Sequence, residues 1–315
     1  MTVAKTRVLV TGGGGYIGSI LVPELLSKGY HVTVIDSFMF GQNSLLDCCN
    51  NPNLNVIYDD VRNEKTLEEQ VKKADIIVPL AAIVGAPACA RIPLTAIEVN
   101  QTQAERIADL VSSDQRLIFP VTNSGYGISK NQEECDENSP LNPISLYGKT
   151  KVKAEQIIFE KTSAVTFRLA TVFGVAPRMR VDLLVNDFVY RAFSDRFVVL
   201  FESHFKRNYI HIRDVARAFI HGIDNFDAMQ GNAYNVGLSS ANLSKLELCE
   251  RIKQHLPDFQ IIENDFAEDP DKRDYIVSNA KIEATGWQPQ YSLDDGISEL
   301  LRAYAFLRVN NFNNK

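Results

Sequence analysis

The sequence predicts an α/β protein with a doubly wound parallel sheet and a smaller C-terminal lobe. Short β-branched runs alternate with amphipathic helical segments through the first half of the chain, which is the pattern of a parallel sheet with right-handed crossovers. A glycine-rich turn joins the first run to the first helical segment, and the regular alternation loosens past Thr171. With 315 residues the chain is long enough for a main domain and a companion lobe.

The first strand–helix–strand unit is the clearest. Residues 7–10 and 31–35 are β-branched runs and predict strands. Between them Ile17, Leu21 and Leu25 recur every four residues, as a helix packed on a sheet requires.

The alternation then continues along the chain. It predicts strands over residues 55–58, 75–80, 116–121 and 165–169, and helices over residues 65–73, 96–111 and 144–161. Beyond Thr171 the patterns predict an isolated strand over 197–200 and helices over 181–193 and 214–225. We therefore expect a main domain over residues 1–171, with later segments interleaved, and a lobe formed mainly by residues 172–315. A cleft between lobes is the usual ligand position.

Composition and charge exclude several classes of protein. The formal net charge of −6 argues against nucleic acid or an anionic membrane as the main partner, because both need a basic face. Residues 1–6 hold no hydrophobic signal stretch, and the apolar run over 76–90 is broken by proline and glycine, which predicts a cytoplasmic protein. The five cysteines form no C-x-x-C pair, and the histidines lack zinc-motif spacing, so we expect no metal.

A dinucleotide site is predicted by the glycines of the first turn. Gly12, Gly15 and Gly18, with Tyr16 and Ile17 between them, follow a predicted strand and open a predicted helix. Glycines there permit a tight turn, close approach of a pyrophosphate to the backbone and close helix–strand packing, as in Rossmann-like domains. The helix N-terminus then attracts the phosphates. A tight strand–helix connection without a ligand is the alternative.

An acidic residue at the end of the second strand specifies the cofactor. Asp36 stands where a carboxylate accepts hydrogen bonds from the adenosine ribose and repels a 2′-phosphate. Residues 37–44 hold no Arg or Lys, so NAD is predicted rather than NADP. Asp60 and Val61 are expected beside the adenine, although Asp60 could instead cap the next helix. Further small or apolar residues are expected where the cofactor crosses the fourth strand, namely Leu80, Ala81 and Ala82.

Catalytic chemistry is predicted by a phenol and an ammonium one helical turn apart. Tyr147 and Lys151 share one helix face, so the ammonium favours the ionised phenol, which can take a proton from an alcohol as hydride leaves the same carbon. Thr122, at the end of the fifth strand, would supply a hydroxyl to the reacting oxygen. The alternative is a solvated lysine beside a packing tyrosine.

Together these motifs resemble the extended short-chain dehydrogenase/reductase family, the nucleotide-sugar epimerases and dehydratases, over nearly the whole chain. The resemblance implies a Rossmann-like NAD domain and a C-terminal substrate-binding lobe. It implies that Thr122, Tyr147 and Lys151 are catalytic and that the residues named above, with Asn100, hold NAD. It also implies a homodimer formed through the helices over 96–111 and 144–161, and a stretch under the nicotinamide over 168–174.

Departures from the family pattern narrow the reaction. The 4,6-dehydratases carry an Asp-Glu pair directly after the active-site Thr, where this chain has Asn123 and Ser124, so dehydration is disfavoured. The 3,5-epimerases place a cysteine acid where Ser124 stands, and a serine hydroxyl is too weak an acid for that role. Redox chemistry at C4 of the sugar remains, and Ser124 becomes a substrate-binding candidate.

Arginines in an acidic chain predict the substrate side. By the resemblance, Arg207 and Arg273 match positions that hold the diphosphate, and Asn186 matches a position near the sugar nucleotide. The alternative for each arginine is a surface ion pair. Arg178, Arg180 and Arg213 are further candidates, whereas His211 is expected to be a packed strand residue.

Three segments, over 167–187, 205–221 and 235–243, resemble most closely the GDP-heptose 4-dehydrogenases of bacterial capsule synthesis, which oxidise C4 of GDP-D-glycero-α-D-manno-heptose. Three functions stay open at this point. They are an NAD-dependent 4-dehydrogenase of a nucleotide sugar, a 4-epimerase resembling UDP-glucose 4-epimerase, and a sensor that binds NAD without turnover.

Overall fold

The computed structural model of the protein describes residues 6–129, 134–264 and 273–307. The chain forms two compact units that alternate along the sequence. The first comprises Met1–Thr122, Leu146–Arg168 and Ala216–Tyr234, and the second comprises Asn123–Ser145, Leu169–Val215 and Asn235–Lys315. The boundary at residue 171 stays a prediction.

The strands lie close to the predicted ones where predictions were made. They are β1 (Arg7–Thr11), β2 (His31–Asp36), β3 (Leu54–Tyr58), β4 (Ile76–Pro79), β5 (Arg116–Thr122), β6 (Glu134–Cys135), β7 (Val165–Leu169), β8 (Thr171–Phe173), β9 (Phe197–Leu200), β10 (Lys206–His211), β11 (Asn232–Val236), β12 (Asn242–Ser244), β13 (Gln260–Glu263) and β14 (Ile276–Val277).

The α-helices fall between them. They are α1 (Gly18–Ser27), α2 (Glu64–Lys73), α3 (Ala86–Arg91), α4 (Pro93–Ile97), α5 (Gln103–Leu110), α6 (Leu146–Lys161), α7 (Leu184–Ser194), α8 (Ile212–Asp224), α9 (Phe226–Met229), α10 (Lys245–His255), α11 (Ala280–Glu283) and α12 (Leu293–Tyr304). A π-helical turn, Glu98–Thr102, joins α4 to α5, so the predicted helix over 96–111 contains a wide turn.

The central sheet is Rossmann-like and confirms the predicted fold class. In the described chain its seven strands run β11-β7-β5-β4-β1-β2-β3. β1 pairs in parallel with β2 and with β4, which also pairs in parallel with β5. The strand order reverses between β1 and β4, and in such sheets ligands bind at the carboxyl ends of the strands that flank the reversal.

The sheet core is built from the apolar runs that the sequence shows. All four residues of β4 are buried, as expected of a parallel strand covered on both faces. Apolar side chains of α2, α5 and α6 pack on one face of the sheet around Leu117 and Phe119 of β5. This packing fixes α6 against β5 within the first unit.

The second unit contains smaller sheets. β10 lies between β8 and β12. The strand over 197–200 was predicted to be isolated, which is wrong, because it pairs in parallel with β13 some 60 residues later. Two of its helices, α10 and α12, begin with capping boxes in which Ser244 pairs with Glu247 and Ser292 with Asp295.

Candidate active site

The glycine turn needs its glycines for steric reasons that the structure makes explicit. Gly12 has a φ of +70°, and a Cβ placed on it would lie 2.5 Å from the backbone nitrogen of Ala81. The N–H of Gly15 donates to the carbonyl of Gly12 at 3.0 Å, which closes the turn. A Cβ on Gly18 would lie 2.4 Å from the carbonyl oxygen of Gly13, so the helix and turn pack as closely as backbones allow.

The two residues between these glycines begin the first helix. Tyr16 is buried, and its carbonyl accepts a hydrogen bond from the Ser19 hydroxyl at 3.0 Å. Ile17 precedes α1 with helical backbone angles, and α1 is ten residues long. The positive end of this helix dipole therefore lies at the glycine turn.

Asp36 lies at the end of β2 and is oriented by backbone donors. Its carboxylate accepts the N–H of Gly14 at 2.8 Å and the N–H of Phe38 at 2.7 Å. Phe38 has a φ of +45°, and its ring stacks on Tyr58 with centroids 5.9 Å apart. A Cβ on Gly14 would lie 2.6 Å from the Phe38 ring, so any side chain at this position would require that ring to shift. The carboxylate thus joins the glycine turn to the end of β2.

The ends of β1 and β4 meet where the strand order reverses. Leu80 donates its N–H to the carbonyl of Thr11 at 2.8 Å, and Ala81 donates to the Thr11 hydroxyl at 3.4 Å. Leu80, Ala81 and Ala82 are half-buried, and small side chains at the last two positions keep this edge of the sheet open. The sequence-predicted crossing of the cofactor falls at this edge.

Asn100 is a buried bridge between two elements of this edge. Its amide accepts the N–H of Ile83 at 2.8 Å and donates to the Ile83 carbonyl at 2.9 Å. The same amide donates to the Thr150 hydroxyl of α6 at 3.3 Å and to the Cys89 sulfur at 3.8 Å. Asn100 therefore fixes the segment after β4 to α6, and it acts on the site through that segment.

The alternative that Asp60 caps the next helix is wrong. The N-cap of α2 is Asn63, whose side chain accepts from the N–H of Thr66. Asp60 instead binds Arg62 at 2.8 Å, which lowers the pKa of the Asp60 carboxyl. Val61 is buried in the core beneath the sheet edge, 8% exposed.

Lys151 is the most strongly perturbed group of the first unit. Its side chain is 4% exposed, and its ammonium lies 4.2 Å from the centre of the Phe119 ring on β5. Burial lowers the pKa of Lys151 from 10.5 to about 7, and Glu155, one turn further on, opposes the shift. The Glu155 carboxylate is itself bound by Arg168 at 2.9 Å. Burial therefore makes the Lys151 ammonium much easier to deprotonate than that of an exposed lysine.

Tyr147 and Thr122 lie on the two elements that hold Lys151. Tyr147 is half-buried one turn before Lys151 on α6, and it packs against a cluster of Ile83, Cys89 and Ala96. Thr122 is the last residue of β5, 8% exposed and three positions past Phe119. The alternative of a solvated Lys151 is wrong, because that side chain is buried against the sheet.

A small cavity lies beneath this part of the sheet edge. Its walls include Thr11, Asn100, Phe119 and Lys151. Gln103 of α5 also lines it, is 5% exposed, and within the described residues finds no hydrogen-bond partner for its Oε1. Lys151 therefore lines this cavity together with the polar residues Thr11, Asn100 and Gln103.

The predicted substrate residues all lie in the second unit. Arg273 donates a hydrogen bond to the hydroxyl of Ser124, which is 2% exposed. Arg207 lies on β10 and is 3% exposed. The Asn186 amide binds the backbone, accepting from the N–H of Gly174 at 3.0 Å and donating to the carbonyl of Arg180 at 2.8 Å. The surface ion-pair alternative is wrong for Arg207, whose side chain is buried.

The other candidate arginines and His211 bind neighbouring protein groups. Arg180 pairs with Asp182 at 2.6 Å, and Arg213 pairs with Glu299 at 2.9 Å. His211 is the buried last residue of β10, as expected, and lies 2.9 Å from the Glu299 carboxylate. These bonds lower the pKa of Glu299 to about 2, so this carboxylate is charged at neutral pH. Arg178 donates to the carbonyl of Met179 at 3.0 Å.

The described residues lack the features of two other classes of site. Within residues 6–129, 134–264 and 273–307, no three His, Cys, Asp or Glu side chains are grouped as a metal site. Across the same ranges, every helix is too short or too polar to cross a membrane.

Several site residues escaped sequence reasoning. Gly14 could have been predicted from the sequence, because it belongs to the same run of four glycines. No sequence pattern marks the other three, Phe38, Gln103 and Phe119, because their roles come from contacts with residues distant in the chain.

Known proteins resemble this chain in sequence and in fold. The profile of the NAD dependent epimerase/dehydratase family matches residues 8–237. The low-salt glycan biosynthesis protein Agl12 of Haloferax volcanii is 28% identical, with 94% of this chain and 98% of the relative covered. A putative UDP-glucose 4-epimerase of Methanocaldococcus jannaschii is 22% identical, covering 93% of this chain and 97% of its own. The structure of UDP-glucuronic acid 4-epimerase from Bacillus cereus, in complex with UDP-glucuronic acid and NAD, has a TM-score of 0.84 at 22% identity, covering 95% and 99% of the two chains.

Proposed function

The chain belongs to the NAD-dependent epimerase/dehydratase family, and from this premise we propose that it oxidises C4 of a nucleotide-diphosphate sugar. Family membership confirms two predictions, that the protein is an enzyme of the short-chain dehydrogenase/reductase type and that its cofactor is NAD. The observation that carries the proposal is the pair Tyr147 and Lys151 on α6, with Lys151 buried against Phe119 of β5, the strand that ends at Thr122.

The residues at the sheet edge fit a dinucleotide. The backbones of Gly12 and Ala81 approach so closely that a methyl group on Gly12 would collide with Ala81, and a glycine at this place in the turn is typical of dinucleotide-binding domains. Asp36 is held at the end of β2 by the N–H groups of Gly14 and Phe38, and its carboxylate would bind the ribose hydroxyls. Gly12, Gly15, Tyr16, Ile17 and Gly18 would hold the pyrophosphate. The adenine and nicotinamide ends would be held by the remaining predicted residues, namely Asp60, Val61, Leu80, Ala81, Ala82, Asn100, Tyr147 and Lys151.

The chain's own residues move the proton. NAD, when bound, supplies the hydride acceptor. Tyr147 takes the proton of the C4 hydroxyl, and Thr122 donates a hydrogen bond that orients the same oxygen. Lys151, when charged, favours the phenolate of Tyr147.

The residues after Thr122 limit the outcome to redox chemistry. Asn123 and Ser124 stand where a dehydratase needs a carboxylate pair, and neither side chain can exchange a proton at neutral pH. Ser124 instead accepts a hydrogen bond from Arg273. An arginine at this position suits the anionic diphosphate of a substrate.

The substrate we propose is GDP-D-glycero-α-D-manno-heptose, oxidised as a step of surface polysaccharide (capsule) synthesis. Similarity to a relative named for glycan biosynthesis supports a role in glycan assembly. Arg207 and Arg273 would bind the diphosphate. Asn186 would contribute by holding the loop from Gly174 to Arg180, since its amide binds that backbone.

A 4-epimerase is the second candidate, because it would use the same Thr122, Tyr147 and Lys151. Relatives and fold neighbours named as 4-epimerases favour it. The test is incubation with GDP- and UDP-sugars, followed by absorbance of reduced nicotinamide and by sugar NMR. A net keto product supports the dehydrogenase. A C4 epimer without net reduction supports the epimerase, and no change in any sugar contradicts both.

Two further expectations stay proposals. A sensor that binds NAD without turnover is disfavoured, because the chain keeps Thr122, Tyr147 and Lys151 together. A cytoplasmic homodimer is proposed from the family resemblance, and light scattering of the purified protein tests the oligomeric state. Neither nucleic acid nor a membrane is proposed as a partner.

A further inference from the structure

Asn123 is a buried amide whose hydrogen-bonding groups find no partner within the described residues. The side chain is 1% exposed, and both Oδ1 and Nδ2 are unpaired. In the described part of the chain, buried Asn279 also leaves its Oδ1 unpaired, but its Nδ2 donates to Asn208 at 3.4 Å. The amides of Asn100, Asn186 and Asn235 all bind protein groups. An unpaired buried amide destabilises the fold, so it calls for an explanation.

The segment that carries Asn123 is fixed by hydrogen bonds, so flexibility does not explain why its amide is unpaired. Residues Asn123–Gly125 form a tight helical turn, and the carbonyl of Asn123 accepts the N–H of Tyr126 at 3.0 Å. The Tyr126 hydroxyl in turn lies 2.7 Å from Oδ1 of Asn235. Next to Asn123, Ser124 is bound by Arg273.

The chemistry of a carboxamide defines the ligand that suits it. One donor and one acceptor lie side by side, so an anion would meet the acceptor unfavourably and a cation would meet the donor unfavourably. A hydroxyl group both donates and accepts, and two neighbouring hydroxyls of a sugar match the amide edge. Asn123 is joined to Thr122 by a peptide bond, which places the two Cα atoms about 3.8 Å apart.

We propose that Asn123 binds sugar hydroxyls beside the reacting carbon and thereby selects the sugar of the substrate. This inference rests on the proposed function, which places Thr122 at the C4 oxygen. Asn123 is then a specificity-determining residue that takes no part in proton transfer. A site built to bond a hydroxyl discriminates strongly against ligands that lack it, since its polar groups are left unpaired.

The test is a binding measurement that needs no turnover. Tyr147→Phe protein with NAD serves as the reference, and calorimetry measures its affinity for GDP, GDP-mannose, UDP and UDP-glucose. The ratio of affinities within each pair isolates the contribution of the sugar. The same measurements are made after adding Asn123→Ala, or Asn138→Ala as an exposed control in the same segment.

We expect Asn123→Ala to bind GDP and UDP as the reference does, while the sugar contribution of the better pair falls by about 10- to 100-fold. Asn138→Ala should leave all four affinities unchanged. An unchanged sugar contribution, or an equal loss for nucleotide and sugar nucleotide, would overturn the inference. So would a reference protein that gains no affinity from either sugar.

Thermal unfolding separates recognition from a structural role. Asn123→Ala removes no hydrogen bond within the described protein, so its melting temperature should equal or exceed that of the reference. Asn235→Ala loses bonds to Tyr126 and Ser278 and should melt several degrees lower. A comparable drop for Asn123→Ala would refute the inference. A protein that binds sugars through Asn123 but oxidises none would contradict the proposed function alone.

Discussion

Replacing Lys151 by methionine should stabilise the protein, and by an amount that depends on pH. Methionine keeps an unbranched chain of similar length and helix propensity but carries no charge. Lys151 is buried against Phe119, and burial lowers its pKa from 10.5 to about 7. At about 1.4 kcal/mol for each factor of ten in proton affinity, holding the charged form inside the protein costs roughly 5 kcal/mol.

The sign of the effect follows from the two pKa values of Lys151. Below pH 7 the folded and unfolded states both carry the charge, and the folded state bears the full cost. Between pH 7 and 10.5 the folded state has lost the proton that the unfolded state still binds, so the folded state gains stability as pH rises. The advantage of Lys151→Met should therefore be roughly 5 kcal/mol at pH 6 and about 1 kcal/mol at pH 9.5.

Urea unfolding followed by circular dichroism at these two pH values measures the difference. Lys153→Met is the matched control, because Lys153 lies on the exposed side of the same helix. Its effect should be the same at both pH values to within about 0.5 kcal/mol. An advantage of Lys151→Met that does not change between pH 6 and 9.5 would refute the reasoning, as would a variant that is less stable at pH 6.

Three further substitutions test other parts of the site. Tyr147→Phe should lower turnover at least about 1,000-fold while NAD affinity, measured by calorimetry, stays within a few-fold, because only the proton acceptor is lost; unchanged turnover removes Tyr147 from its role. Gly12→Ala should weaken NAD binding more than about 10-fold, since its Cβ would collide with Ala81. Gly29→Ala is the control, because Gly29 has a φ of +87° but open space around it. This control should cost only about 1 kcal/mol of stability and leave NAD affinity intact. Asn100→Ala should lower the free energy of unfolding by about 3 kcal/mol in urea titrations, because it leaves the N–H and carbonyl of a buried segment unpaired; a loss under 1 kcal/mol would contradict its bridging role.

Much of the site could be predicted from local sequence patterns. The glycine turn, Asp36 at a strand end and the four-residue spacing of Tyr147 and Lys151 are each encoded within a few residues. Their placement follows from the order of strands and helices, because the carboxyl ends of parallel strands share one edge. The fold class could be predicted for the same reason.

The remaining features depend on contacts between distant residues. Nothing near Lys151 in the sequence indicates that Phe119 covers its ammonium, so the lowered pKa could not be foreseen. The π-helical turn that contains Asn100 could not be predicted, because the helical pattern of the sequence is continuous there. The pairing of β9 with β13 was missed because β13 is short and largely exposed.

The most direct test of the central claim uses GDP-D-glycero-α-D-manno-heptose that carries deuterium at C4. After one turnover with stoichiometric NAD, the nicotinamide is analysed by mass spectrometry. Oxidation at C4 predicts deuterium in the reduced nicotinamide. Reduced nicotinamide that forms without deuterium, or a sugar product that retains all of the label while NAD stays unreduced throughout the turnover, would contradict the account.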